Sequence, residues 1–286
     1  MSVLFKVNNL KFCYPKNDAD TLKGISFDVE AGKIFGLLGP SGAGKSTTQK
    51  ILIKLLTDYR GEIIYRDRNL RTYDKSYYEE IGVGFEMPVH FNKLTARENM
   101  KYFASLYQKN IDYLALMKRL NLDDAIDTEV GKYSKGMKVR LNFVRAMLND
   151  PCVLFLDEPT AGIDPANARI IKDVILEFKK QGRTVFISTH LMSDVEQLCD
   201  EVIFMTAGRV GEKARPRDLK IKYGKRRVTV EYHKGSELSH QEFPLDGLGR
   251  NSSFLDLIGR TEIETIHSGE TSMEEIFIQV TGENHE

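Results

Sequence analysis

Short apolar runs alternate with segments of helical spacing along most of the chain. The runs VLFKV, GISFDV, KIFGLL, EIIY and IGVGFE predict strands, and KSTTQKILIKLL has the spacing of a helix. Three later runs, CVLFLDE, RTVFIST and EVIFMT, are continuously apolar, which is typical of strands covered on both faces of a parallel sheet. The segment DPANARIIKDVILEFKKQG predicts a helix that Asp164 caps, Pro165 opens and Gly182 ends. This alternation predicts a layered α/β fold with a β-rich N-terminal part.

Two regions depart from that alternation. A helical block runs from Leu94 to about Leu148 and opens with a capping box at Thr95 and Glu98, so we expect a helical insertion over residues 88–148. After residue 211 the composition changes, and residues 213–227 hold eight basic side chains and one acidic side chain. The runs RRVTVEY and EIETIHS then predict strands, and SMEEIFIQV predicts a short helix. We therefore expect a core domain over residues 1–212 and a small α+β accessory domain over residues 213–286. The basic stretch fits either a solvated linker or a contact with anionic lipid headgroups.

Composition narrows the class of protein. Lys plus Arg and Asp plus Glu both total 41 among 286 residues, so the formal net charge is zero. Proteins that bind nucleic acid through its phosphates usually have a basic excess, so we expect no nucleic-acid partner. The three cysteines are scattered and suggest neither disulfides nor a zinc site, which favours a reducing compartment. No run reaches the roughly 20 apolar residues that span a bilayer, and the N-terminus lacks the pattern of a secretory signal.

A glycine-rich loop follows the run KIFGLL. Its sequence, GPSGAGKST, matches the P-loop pattern between a strand and a helix. Glycines at such positions let backbone N–H groups point at phosphate oxygens, and the start of the next helix favours negative charge. Lys45 is expected to reach the β- and γ-phosphates, and Ser46 to ligate Mg²⁺. The predicted phosphate-binding residues are Gly39, Pro40, Ser41, Gly42, Ala43, Gly44, Lys45, Ser46 and Thr47.

An acidic pair ends the run CVLFLDE. Asp157 is expected to hold Mg²⁺ through water, and Glu158 to polarise the attacking water. A GTPase would carry an Asn-Lys-x-Asp sequence for guanine, but the Asn-Lys of this chain, Asn92-Lys93, continues as Leu-Thr. A small-molecule kinase would show an arginine-rich lid and no LDEPT strand end. The pattern therefore predicts an ATPase that is neither of these.

The segment YSKGMKVRLNFVRAML resembles the signature region of the ATP-binding-cassette (ABC) transporter ATPases. Ser134 and Gly136 match the family's Leu-Ser-Gly-Gly-Gln motif, and Tyr133, Lys135 and Met137 depart from it. The resemblance implies a P-loop ABC ATPase core with the helical insertion described above. It also implies that Ser134 and Gly136 contact the γ-phosphate held by a second subunit, so that two chains form a head-to-tail dimer around two ATP molecules.

Other motifs follow in the family's order. Asp164 in AGID resembles the D-loop at the dimer interface, and His190 in ISTHLMSD resembles the switch histidine that contacts the γ-phosphate. Tyr14 resembles the aromatic residue that stacks on adenine. Glu86 stands where the family usually has a metal-contacting Gln, a variant that resembles exporters of bacitracin-type and lantibiotic peptides. The C-terminal TSMEEIFIQVTG resembles the tail of drug-resistance-type exporter ATPases.

The resemblance leads to one expected function and two rivals. We expect an ATP- and Mg²⁺-dependent ATPase subunit of an exporter, with a drug, lipid or antimicrobial peptide as cargo. It would lie in the cytoplasm, on the inner face of the cell membrane, bound to a separate transmembrane permease. The first rival is a non-transport ABC ATPase acting in DNA repair or translation. The second is a module that binds ATP without turnover, against which Lys45, Asp157, Glu158 and His190 argue.

Overall fold

The computed structural model describes residues 2–15, 17–87, 89–109, 111–224, 226–234, 237–269 and 271–281. The chain divides into two compact units, Met1–Arg215 and Pro216–Glu286. The strands are β1 (Val3–Phe12), β2 (Leu22–Glu30), β3 (Ile34–Leu38), β4 (Arg60–Tyr65), β5 (Arg68–Asn69), β6 (Ile81–Gly84), β7 (Val153–Asp157), β8 (Thr184–Thr189), β9 (Glu201–Thr206), β10 (Arg209–Ala214), β11 (Arg227–Lys234), β12 (Glu237–Pro244) and β13 (Ile263–Gly269). The helices are α1 (Lys45–Leu52), α2 (Tyr77–Glu80), α3 (Ala96–Ala104), α4 (Tyr113–Arg119), α5 (Lys135–Ala146), α6 (Pro165–Lys180), α7 (Met192–Leu198), α8 (Pro216–Tyr223), α9 (Ser252–Arg260) and α10 (Met273–Thr281).

The first unit contains a central sheet in the order β10-β9-β3-β8-β7-β6. The strands from β9 to β6 in that order pair in parallel, and β10 pairs antiparallel at the edge. Every residue of β3 and β8 is buried, which explains why β3 is continuously apolar and why β8 carries consecutive apolar residues rather than an alternating pattern. Because the strands are parallel, the loops after β3, β7 and β8 leave the sheet at one edge, where ligands bind in open α/β folds.

A second sheet in this unit runs in the order β2-β1-β4-β5 and is antiparallel. Its buried face shares a core with one side of the central sheet, where Phe5 lies 5.9 Å from Phe155 and Phe27 lies 5.6 Å from Phe35 between ring centroids. Helix α1 is shorter than the predicted segment. It ends at Leu52 because Ile53 leaves helical geometry and Lys54 adopts a left-handed φ of 58°.

The predicted helical insertion contains α3, α4 and α5. Thr95 and Glu98 form the capping box at the start of α3, as predicted, with reciprocal bonds of 3.1 and 2.8 Å. The apolar side chains of these helices pack in a core that also includes Ile171 and Phe178 of α6. Asp164 accepts a hydrogen bond from Asn167 N and caps α6, and Pro165 occupies its first turn, also as predicted.

The second unit contains the antiparallel sheet β12-β11-β13 and helices α8, α9 and α10. Its small core is formed by Val228, Val230, Phe243 and Phe254. The solvated-linker interpretation of residues 213–227 is wrong over residues 216–223, because that part of the basic stretch is helix α8. Leu219 is buried and gives the helix an apolar anchor among its charged side chains.

Candidate active site

The loop between β3 and α1 can exist only with glycine at two of its positions. A Cβ on Gly39 would lie 2.1 Å from the carbonyl oxygen of Met205, so that the loop packs backbone to backbone against β9. Gly44 precedes α1 with a φ of 107°, which L side chains rarely adopt. Among the described residues no side chain caps the start of α1. Its first N–H groups are therefore directed toward the loop, in the geometry that suits phosphate oxygens.

Lys45 lies over this loop. Its ammonium donates hydrogen bonds to Gly39 O at 2.5 Å and to Pro40 O at 3.0 Å. Burial lowers the pKa of Lys45, while the nearby carboxylates of Glu158, Asp157 and Glu86 oppose that shift. The ammonium is therefore held at the loop, with the three carboxylates nearby.

The side chains of Ser46 and Asp157 meet beside Lys45. Ser46 Oγ donates to Asp157 Oδ2 at 3.2 Å, and Ser188 Oγ donates to Asp157 Oδ1. Ser188 also lies 2.9 Å from Gln49 Oε1, so α1, β7 and β8 all contribute to the fixed position of the carboxylate. A hydroxyl and a carboxylate are oxygen ligands of the kind that Mg²⁺ prefers, so this pair fits that ion.

Glu158 is held in a conformation that its backbone alone disfavours. Its φ is 48°, and non-glycine residues in the left-handed region persist only where their surroundings fix them. Its carboxylate accepts hydrogen bonds from Thr189 Oγ1 at 3.0 Å and from His190 N at 3.0 Å. His190 Nδ1 lies 2.6 Å from Glu158 Oε1. Asp157 of β7 pairs in parallel with Ser188 of β8. The residues that follow them, Glu158 and Thr189, therefore lie at the same end of the two strands.

The exposure of this acid and this histidine differs sharply. The Glu158 side chain is 8% exposed, whereas that of His190 is 64% exposed. The carboxylate is therefore fixed within the protein while the imidazole faces outward beside it. This arrangement suits a buried base with an exposed polar group beside it.

Tyr14 lies beside the loop at its other end. Its hydroxyl is 3.2 Å from Thr47 Oγ1, and its ring meets that of Phe12 edge to face at 4.9 Å. The side chain is half-buried and packs at the margin of the core. It is thus close to residues 39–47, as its predicted role requires.

Three predicted site residues, Ser134, Gly136 and Asp164, are exposed or half-buried at the starts of α5 and α6. Ser134 caps α5 by accepting from Met137 N at 3.2 Å, and a Cβ on Gly136 would meet nothing within 4 Å. Asp164 is exposed at the start of α6, and its hydrogen bonds from Asn167 lower its pKa. Within the described ranges no hydrogen bond joins these residues to residues 39–47.

Comparison with known proteins decides the family. The ABC transporter family matches residues 22–161. A fluoroquinolones export ATP-binding protein of Mycobacterium tuberculosis is 48% identical over 281 residues, covering 98% of this chain and 93% of that protein. The chain belongs to the ABC transporter ATP-binding family. It therefore binds and hydrolyses ATP, which confirms the ATPase predicted from the sequence.

Further comparisons bear on its relatives and its fold. A lantibiotic transport ATP-binding protein of Streptococcus pyogenes is 35% identical, covering 72% of this chain and 89% of that protein. The solved structure of an ATP-binding subunit of an ABC transporter superposes with a TM-score of 0.70 at 28% identity, covering 77% of this chain and 93% of that one. These likenesses confirm the predicted ABC ATPase fold. They do not support the rival interpretation as a DNA-repair or translation ATPase.

Residues 226–270 match a second family, the C-terminal domain of fluoroquinolone efflux ABC transporters. The match begins with β11 and ends with β13, so it covers most of the second unit. In the parts of the chain that the structure describes, no helix has both the length and the apolar character needed to cross a bilayer.

Sequence reasoning missed several residues that fix the ABC site. Gln49, Ser188 and Thr189 support Asp157 and Glu158 through the hydrogen bonds given above, and Thr160 donates to the buried Asp194. Ser188 and Thr189 come immediately before His190 at the end of a predicted strand. That position was the sequence signal that could have predicted their role in supporting the acidic pair. Thr160 and Asp194 lie 34 residues apart, and no sequence pattern links them.

The position predicted for the metal-contacting Glu86 is compatible with that role. Glu86 is exposed and lines a cavity of about 860 Å³ together with Ser46 and Asp157. The cavity continues away from the phosphate loop as an apolar groove. Its other lining residues are Lys50, Ile53, Leu55, Tyr78, Ile81, Val83, Phe85, Met87, Val89, His90, Phe91, Phe103, Leu106, Tyr107, Arg145 and Ala146.

Proposed function

We propose that this chain is the ATP-hydrolysing subunit of an ABC exporter and acts at the inner face of the cell membrane through a separate transmembrane permease. The observation that carries the proposal is the 48% identity, over 98% of the chain, to a protein named for fluoroquinolone export. The C-terminal match to fluoroquinolone efflux transporters supports the same cargo class. The cargo is a fluoroquinolone or a related planar aromatic drug.

Nucleotide binding is assigned to the loop and to Tyr14. Residues 39–47 hold the phosphate chain through backbone N–H groups, and Lys45 exchanges its contacts with Gly39 O and Pro40 O for the β- and γ-phosphates. Tyr14, beside Thr47, supplies an aromatic face for adenine. Ser46, Asp157 and Glu86 would hold Mg²⁺, which neutralises phosphate charge when bound.

Hydrolysis is assigned to Glu158 and His190. The Glu158 carboxylate orients the attacking water and accepts its proton, since it is fixed by Thr189 and by the His190 backbone. His190 is exposed beside it and contacts the γ-phosphate through its imidazole. Each role uses a side chain at the same edge of the central sheet, within reach of the loop that holds the phosphates.

The ATP site is completed by a second subunit. Ser134 and Asp164 are exposed, a Cβ on Gly136 would meet nothing within 4 Å, and among the described residues no hydrogen bond joins them to residues 39–47, so they are available to a second copy. The N-terminus of α5, capped by Ser134, would meet the γ-phosphate held by the partner. The working unit is a head-to-tail dimer that closes on ATP and reopens after hydrolysis. We also assign the first unit, Met1–Arg215, to the ATPase domain and the second, Pro216–Glu286, to an accessory domain, which moves the predicted boundary at residue 212 to the end of β10.

The apolar groove is assigned to the permease. Met87 and Val89 are 80% and 77% exposed at its rim, a degree of exposure unusual for large apolar side chains. At its floor Arg145 donates to neutral acceptors, Val89 O at 2.5 Å and Asn142 Oδ1 at 2.8 Å, and no carboxylate among the described residues pairs with it. Burial lowers the pKa of Arg145.

In the same groove, His90 has a ring nitrogen without a hydrogen-bond partner among the described residues. Its Nε2 lies 3.2 Å from Lys138 O, so in the neutral ring this nitrogen donates and Nδ1 is left as an acceptor. Nδ1 is buried and has no partner in the described part of the chain. The occupant of the groove is therefore a permease segment that brings an acidic side chain to Arg145 and a hydrogen-bond donor to His90.

The proposal is tested by searching the reading frames adjacent to the gene for a protein with several membrane-spanning segments and purifying the chain together with that candidate permease. We expect the two to form a complex whose ATPase rate rises when a fluoroquinolone is added. Arg145→Met should weaken the complex while the ATPase rate of the isolated chain stays close to that of the wild type. A neighbour that neither binds the chain nor alters its ATPase rate would contradict the exporter assignment.

A further inference from the structure

A buried carboxylate links the loop that carries Glu158 to the helix that follows His190. Asp194 lies in the first turn of α7 and is only 2% exposed. Its Oδ1 lies 2.6 Å from Lys172 Nζ of α6, and its Oδ2 accepts a hydrogen bond from the Thr160 hydroxyl. Each oxygen of this carboxylate therefore binds a different segment of the chain.

Those segments are the ones that carry the reactive side chains. Thr160 is buried two residues after Glu158, in the loop that leaves β7. Asp194 follows His190 by four residues, in the segment that leaves β8. Lys172 also donates to Gln197 Oε1 at 3.0 Å and so binds α7 at a second point. The segments of Glu158 and His190 are thus joined at two places: directly, by the 2.6 Å contact between the two side chains, and again through Thr160 and Asp194.

We propose that Asp194, Thr160 and Lys172 form a positioning cluster that sets the distance between Glu158 and His190 during hydrolysis. This inference rests on the roles proposed above for those two residues. Within the described part of the chain, the side-chain hydrogen bonds of these three residues go to one another and to Gln197, so we assign them a positioning role and not a catalytic one. Their effect is mechanical, because a buried carboxylate with both oxygens bound has little freedom to move, and loss of one partner leaves a buried polar group unmet.

The same helix provides a matched control. Lys179, seven residues after Lys172 on α6, pairs with Asp200 at 2.5 Å. Asp200 Oδ2 accepts from Ile34 N at 2.9 Å, at the start of β3 and away from the edge where Glu158 lies. Both ion pairs join α6 to the segment of residues 194–200. Among the described contacts, Asp194 also binds Thr160 in the loop that carries Glu158, whereas Asp200 binds Ile34 N instead.

The test compares ATPase kinetics of purified Thr160→Val, Thr160→Ser, Lys172→Met and Lys179→Met proteins. Thr160→Val has nearly the same shape but no hydroxyl, and we expect kcat to fall about 10-fold or more, because small misplacement of catalytic groups is costly. KM for ATP should change less than about 2-fold, since residues 39–47 are untouched. Thr160→Ser should retain kcat within about 2-fold, because it keeps the hydroxyl.

The control variant separates positioning from stability. Lys172→Met should lower the melting temperature more than Lys179→Met, because the Asp194 side chain is 2% exposed and that of Asp200 is 29% exposed, but only Lys172→Met should lower kcat. The double variant Thr160→Val/Lys172→Met should lose no more rate than the worse single variant, because both substitutions disable one cluster. A double variant whose losses multiply, or a Thr160→Val protein with wild-type kcat, would overturn the inference.

The failure of this inference can be told from failure of the proposed function. An inactive Glu158→Gln protein together with a fully active Thr160→Val protein would remove the positioning cluster and leave the assignment of Glu158 intact. A fully active Glu158→Gln protein would instead remove the proposed hydrolytic mechanism. Binding of a non-hydrolysable ATP analogue shows in each case that the variant is folded. If Thr160→Val fails to bind the analogue while Thr160→Ser binds it normally, the Thr160 hydroxyl serves folding and the inference is overturned.

Discussion

Replacing Glu158 by Gln changes one oxygen of the side chain into an amide group and leaves its size unchanged. The carboxylate accepts from Thr189 Oγ1, His190 N and His190 Nδ1, and the amide oxygen can retain acceptor contacts on one side only. Loss of one hydrogen bond to a charged group corresponds to about 1.5–3 kcal/mol of folding free energy. At roughly 2–4 °C per kcal/mol for a chain of this size, we therefore expect the melting temperature to fall by about 3–12 °C.

The effect on hydrolysis should be larger than the effect on folding. Removing a positioned general base lowers the rate by about 10²–10⁴-fold, which corresponds to roughly 3–5 kcal/mol of activation free energy. ATP binding should persist, because residues 39–47 and Tyr14 are unaltered. The assay combines single-turnover hydrolysis with size-exclusion chromatography, in which the variant should accumulate with ATP as a species of twice the monomer mass. Wild-type turnover in the variant would refute the role of Glu158.

Substitutions at four further positions test separate features of the protein. Lys45→Ala should weaken both ATP binding and turnover, whereas Ser134→Arg should leave ATP binding by the monomer nearly intact and block ATP-driven dimerisation; equal loss of monomer binding in both would contradict the head-to-tail site. Glu86→Gln should keep measurable ATPase activity but need more Mg²⁺ for half-maximal rate, and Glu86→Ala should be worse, while superimposable Mg²⁺ titrations would show that Glu86 does not serve the metal. Burial lowers the pKa of His90 to about 4. Because the unfolded chain takes up this proton first, the free energy of unfolding should fall by about 3 kcal/mol between pH of roughly 6.5 and 4, and a His90→Gln protein should lack that part of the slope.

The site was more predictable from the sequence than its supporting contacts were. The P-loop, the acidic pair and the signature are defined by close spacing, since each must present several groups from one turn to one ligand. The contacts of Asp194 join residues far apart in sequence, and they depend on how β7, β8 and α6 pack. The groove around His90 and Arg145 likewise forms by packing between segments that are distant in sequence, so no local sequence pattern predicts it.

In the C-terminal unit the sequence predicted some elements and missed others. Strands β11 and β13 follow the apolar runs that predicted them, whereas β12 is largely exposed, and only Phe243 in it is buried. A strand with so little apolar alternation leaves no period-2 signal. Helix α8 was hidden by its basic composition, and α9 buries only Phe254. These elements depend on pairing with β11 and on the small core around Val230 rather than on their own patterns.

The most direct test of the central claim is ATP-dependent drug uptake into inside-out membrane vesicles. The vesicles would contain the candidate permease that co-purifies with this chain, together with either the wild-type chain or the Glu158→Gln variant, and a fluorescent fluoroquinolone would be the probe. We predict uptake that requires ATP with the wild-type chain and falls to the level without nucleotide with the variant. Equal uptake with the two proteins, or uptake that does not depend on ATP, would contradict the claim that hydrolysis at Glu158 powers export.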